Sequence, residues 1–110
     1  MEKGKLNQQI AQQENEKVIL VAIIRDRQEI REVEEYLDEL RFLAETAGLE
    51  TVATFTQKLP YPDKRTFVGS GKLQEIKEYL TDSEISIVIF DDELSPSQTR
   101  NLEKELGIKI

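Results

Sequence analysis

Neither cysteine nor histidine occurs anywhere in the 110 residues. Without cysteine there is no disulfide framework and no thiolate metal site, and without histidine there is no imidazole base, Ser-His pair or imidazole ligand. Most hydrolase and zinc chemistry is thereby excluded. Long apolar runs are missing too: none approaches the roughly 18 to 20 residues of a membrane span. The opening MEKGKLNQQIAQQ holds no apolar stretch of the signal-peptide kind. No membrane span is expected, and a cytoplasmic location is, with association to ribosomes or a membrane surface left open. Basic charge is scarce as well. Fifteen Lys and Arg against 22 Asp and Glu give a net charge of -7, which argues against phosphate ligands at long range.

The charge is unevenly placed. Between Lys58 and Lys77 stand five bases (Lys58, Lys64, Arg65, Lys72, Lys77) and two acids (Asp63, Glu75), a local +3 that leaves -10 on the rest of a chain at -7. A basic face is one reading and a solvated loop with scattered lysines is the other.

The length suits one domain able to bury roughly 65% of its unfolded surface. Residues 1–16 are polar and glutamine-rich, with Leu6 and Ile10 as the apolar exceptions, and read as a flexible lead-in to a single domain over 17–110. KVILVAII (Lys17 to Ile24) is a β-branched run suited to a strand covered on both faces. From Gln28 to Ala47, Ile30, Val33, Leu37, Leu40, Ala44 and Ala47 recur at steps of three and four, with Tyr36 and Leu43 alongside, which predicts a helix ending at Gly48. Phe42 falls opposite that stripe, either as an isolated exposed aromatic or as an interface residue.

Thr51 to Gln57 alternates and carries threonines, suiting an edge strand. KLPYPDKR follows, a long loop whose prolines stop helix and ladder alike. A second helix is expected from near Gly71 on Leu73, Ile76 and Leu80, and then ISIVIF (Ile85 to Phe90) as a second central strand. Ser95, Pro96 and Gln98 form a capping-box signature for a third helix ending before Gly107. Ile108 to Ile110 reads as a fourth strand, interrupted within or at the edge of a domain. The alternation predicts an α/β fold: a four-stranded, mainly parallel sheet of order 2-1-3-4 with helices on both faces. Ligands of such sheets bind at the carboxyl ends of the strands, by the switch between strands one and three.

Two motifs fall on that edge. TFVGSGKL (Thr66 to Leu73) resembles half of a phosphate loop, with Thr66 where the first Gly belongs and Leu73 where a metal-binding hydroxyl belongs. Gly69, Ser70, Gly71 and Lys72 at a helix start are therefore an anion or nucleotide candidate; a plain loop-to-helix turn is the alternative. Asp91 and Asp92 after an apolar strand are weak magnesium candidates of the Walker B kind, although any buried parallel strand ending in a polar loop gives that pattern. No catalytic residue is otherwise visible.

LRFLAETAG (Leu40 to Gly48), Gln57, VGSGK with Glu75 three residues on, and IVIFDDELSPSQTRNLE resemble, in order and spacing, the amino-terminal domain of the HflX family of GTP-binding proteins. The resemblance covers roughly Lys17 to Ile110. It implies a domain that precedes a helical segment and a GTPase domain, in a protein that binds the large ribosomal subunit and splits stalled ribosomes. GTP and magnesium would belong to that other domain, so no cofactor and no GTP hydrolysis are expected of these 110 residues. Three roles stay open. An RNA-binding module would contact ribosomal RNA through Lys58, Lys64, Arg65 and Lys72, with Arg25 and Arg27. A secondary nucleotide-binding domain would use the GSGK turn with Asp91 or Asp92. A regulatory domain would dock on its own helical and GTPase domains, with Phe42 at the interface.

Overall fold

The computed structural model describes residues 15–25 and 30–110. The expected lead-in therefore lies almost wholly outside the described residues, as do Arg27 and the expected helix start at Gln28. The elements run β1 (Glu16–Ile24), α1 (Ile30–Thr46), β2 (Leu49–Lys58), α2 (Ser70–Leu80), β3 (Ile85–Phe90) and α3 (Pro96–Leu106).

The sheet has three strands in the order β2-β1-β3, all parallel. The α/β class and the parallel direction agree with the sequence; the strand count does not. Ile108 to Ile110 make one isolated parallel bridge, Ile87 with Lys109, in which the Val88 N–H donates to the Lys109 carbonyl at 3.1 Å. Three residues after the left-handed Gly107 (φ 72°) begin a ladder without extending it. The expected fourth strand is thus absent among the described residues, and β3 lies at an edge instead of the centre. A continuous apolar run reads alike in both places, but β3 buries only Val88 and Phe90 fully.

β1 occupies the middle, buried from Val18 to Ile24 as its β-branched composition requires. Its alternate side chains feed two cores. Ile19, Val21 and Ile23 meet Leu73, Ile76 and Leu80 of α2 and Leu102 and Leu106 of α3. Val18, Leu20, Ala22 and Ile24 meet Val33 and Leu37 of α1 on the other face. One face thus carries two helices and the other carries one.

α1 ends where Gly48 takes φ 85°, a conformation open to glycine at no steric cost. It packs mainly across β1 and β2. Three residues assigned to its buried side are exposed: Ile30 (52%), Tyr36 (57%) and Leu43 (55%). Helical spacing identifies the stripe, but the breadth of its covered part depends on how much sheet lies beneath. Phe42 is exposed, as its position opposite the stripe predicts.

Candidate functional site

With β2 and β3 on opposite sides of β1, the chain reverses its winding at the carboxyl ends of β1 and β3. A cleft of about 400 Å³ opens there, lined by Ile23, Arg25, Val33, Tyr36, Asp91 and Asp92. Asp91 is fixed by its N–H, which donates to the Val21 carbonyl at 2.8 Å and carries the β1–β3 pairing past the strand end. Burial, and then the neighbouring Asp92 charge, push its carboxyl above the usual range. Asp92 instead pairs with Arg25 at 3.0 Å. No group of three or more His, Cys, Asp or Glu able to hold a metal occurs among the described residues.

The GSGK turn lines another part of the rim. Gly69 is the N-cap of α2 at an ordinary φ of -69°. Its N–H donates to Gln57 Oε1 at 2.9 Å, and a Cβ here would meet Gln57 Nε2 at 3.1 Å. The side chain at the end of β2 therefore accounts for a small residue at position 69. Gly71 faces open space, and a Cβ there would meet nothing within 4 Å. Lys72 pairs with Glu75 one turn on, at 3.1 Å. One N–H engaged inside the protein and one neutralised lysine do not fit a polyphosphate, and neither Gly69 nor Lys72 lines the cleft of Asp91.

The loop after β2 is locked. Leu59 N–H still donates to Ile24, after which Asp63 and Phe67 exchange two backbone hydrogen bonds of 2.9 Å. Asp63 Oδ1 accepts from the Arg65 and Thr66 N–H groups at 2.8 and 3.0 Å, an Asx turn. Those donors, Thr66 first, hold its carboxyl below the ordinary range, outweighing a small burial effect. Phe67 follows at φ 69°, with Val68 N–H donating to the Thr66 carbonyl at 2.6 Å, the form of γ-turn that strains a bulky residue. Burial of its ring edge-on to Phe90, centroids 5.3 Å apart, holds it there.

α3 clamps the same loop. Gln98 completes the expected capping box with Ser95 and also donates Nε2–H to the Asp63 carbonyl at 2.7 Å. Asn101 donates to the Arg65 carbonyl at 3.1 Å, and the Arg65 guanidinium pairs with Glu105 at 3.3 Å.

Of the cations named from sequence, Arg25, Arg65 and Lys72 thus have acidic partners. Lys58 and Lys64 are exposed and form no ion pair among the described residues. Between them stands Tyr61, 78% exposed, which the sequence pattern had not singled out. Its signal was an aromatic between two prolines inside a basic segment, Lys58-Leu-Pro-Tyr-Pro-Asp-Lys64.

Residues 34–110 match the family model described as GTP-binding GTPase N-terminal. The chain is 47% identical to the GTPase HflX of Flavobacterium psychrophilum over 95 residues, 86% of this chain and 23% of that protein. It is 42% identical to the GTPase HflX of Caldanaerobacter subterraneus over 97 residues, covering 88% of this chain and 22% of that protein. Against the GTPase HflX of Escherichia coli it is 41% identical over 70 residues, 64% and 16% of the two chains. The chain therefore spans less than a quarter of the length of these relatives.

Proposed function

This chain belongs to the HflX family, as its amino-terminal domain, and from that premise we propose that it is a ribosomal-RNA-binding module of an HflX-type GTP-binding protein. The parent acts on the large ribosomal subunit and splits stalled ribosomes, and this domain supplies a contact to unpaired RNA. The observation that carries the reading is Tyr61, exposed between Lys58 and Lys64, which have no ion-pair partner among the described residues, on a loop that Asp63, Gln98 and Asn101 hold fixed.

An aromatic face stacks on any base, and flanking lysines neutralise the phosphates on either side. A loop already ordered loses little further conformational freedom when it binds. The acidic remainder of the domain keeps RNA on this edge.

Binding of the 110-residue chain to purified large subunits tests this. Tyr61→Ala should weaken it by about 1 to 3 kcal/mol, the range for losing one stacked base, with an unchanged melting temperature. Unaltered affinity would rule Tyr61 out as the contact.

A further inference from the structure

The two faces of the sheet are unequally covered. A helix packs about 8 to 10 Å from its neighbour, and strands lie about 4.8 Å apart, so three strands take two helices on a face. The α2–α3 face has both. The other has α1 alone, seated over β1 and β2. On that face Ile87 and Ile89 of β3 stay only partly buried. A parallel sheet is ordinarily covered on both faces.

The flank of α1 beside this gap is apolar. Tyr36 lines the cleft with Asp91 and Asp92, which places it on the β3 side, and Leu43 lies seven residues on along the same flank. Leu40, half-buried between them, packs on the core below. The opposite flank is polar: Glu34, Asp38 and Arg41 face Thr54 of β2. The result is a groove one helix wide, with Ile87 and Ile89 as floor and Tyr36, Leu40 and Leu43 as wall. Its rim is acidic, with Glu32, Glu35 and Glu39 around Tyr36 on one side and Asp91, Asp92 and Glu93 beyond β3 on the other.

We propose that this groove seats an amphipathic helix with basic flanks, supplied by the part of the full-length protein that lies carboxyl-terminal to this domain. The width fixes a helix and the acidic rim selects Lys or Arg on its flanks. Relatives more than four times the matched length provide that polypeptide in cis, where tethering raises its effective concentration. Phe42, on the outer side of α1, is outside this contact.

The cysteine-free chain allows a direct test. Leu43→Cys is made in the 110-residue chain and in a chimera continuing after Ile110 with the corresponding remainder of the Flavobacterium psychrophilum relative, its native cysteines replaced. Ser97→Cys on α3 serves as the reference site. Reaction of the thiol at position 43 with a maleimide should be slowed by about tenfold or more in the chimera, because access then requires local opening, while the thiol at position 97 reacts equally in both. Equal rates at position 43 in the two proteins would overturn the proposal. So would protection already present in the short chain and rising with its concentration, which would make a second copy the occupant. A second variant, Tyr36→Lys, should restore the reactivity of position 43 in the chimera by placing a cation against the basic helix; protection that survives it would remove the charge argument.

Discussion

Replacing Gln98 by Ala tests how the loop after β2 is held. Gln98 is 8% exposed and makes three hydrogen bonds that join two segments. Its N–H donates to Ser95 Oγ at 3.0 Å, its Oε1 accepts from Ser95 N–H at 2.9 Å, and its Nε2 donates to the Asp63 carbonyl at 2.7 Å. Alanine keeps the first and removes the other two. Each lost hydrogen bond is worth about 0.5 to 1.5 kcal/mol, and more where the abandoned partner stays shielded from water. A loss of about 2 to 3 kcal/mol is expected, a large share of the roughly 5 to 15 kcal/mol of a typical domain. Urea unfolding should show a lower midpoint at constant slope. Amide exchange at Asp63 and Phe67 should accelerate beyond the global change, since their mutual hydrogen bonds lean on this clamp. Gln98→Glu separates the two halves: it retains an acceptor for Ser95 but sets a carboxylate against the Asp63 carbonyl. It should be destabilised at neutral pH and recover relative to the parent in acid, where the protonated carboxyl donates. A cost below about 0.5 kcal/mol for Gln98→Ala, the scale of an ordinary surface change, would refute the clamp.

Gly71→Ala should be neutral or stabilising by up to about 1 kcal/mol, because glycine is costly in a helix and nothing stands within 4 Å of the new Cβ; a melting temperature lowered by several degrees would contradict this. Asp63→Asn should narrow the stability gap to the parent as pH falls. The depressed folded pKa gives the parent a contribution present above the unfolded value and lost on titration through the folded one. Asp91→Asn should act in the opposite sense. Its raised folded pKa makes ionisation unfavourable to folding, so the variant should be at least as stable as the parent at neutral pH and lose that advantage in acid; paired pH titrations of stability check both. Phe42→Ser should change the stability of this chain by no more than about 0.5 kcal/mol by thermal melting, as expected for a residue 64% exposed.

Local signals in the sequence carried furthest. The capping box at Ser95, the stop at Gly48 and the doubly buried run of β1 each depend on neighbours a few positions away, and the structure has all three. What was illegible depended on distant partners. β3 reads as a central strand because its apolar run does not reveal whether another strand lies beyond it. Tyr36 and Leu43 read as core because helical spacing says nothing of the width of sheet beneath. At the site, the first glycine of GSGK is explained by Gln57, twelve positions upstream, and Arg25 is neutralised by Asp92, 67 positions away. Neither pairing has a sequence signature. The basic segment was visible, but which of its cations are engaged became clear only from the placement of Glu75 and Glu105.

The central claim is that the exposed loop meets RNA phosphate through Lys58 and Lys64, and the salt dependence of binding to purified large subunits measures it most directly. Each phosphate contact contributes roughly 0.7 to 0.9 to the slope of log affinity against log salt. The double variant Lys58→Gln, Lys64→Gln should therefore bind more weakly, with a slope flattened by about 1.4 to 1.8 units and an unchanged melting temperature. Affinity and slope equal to those of the parent chain would contradict the claim and leave this loop without a role in RNA binding.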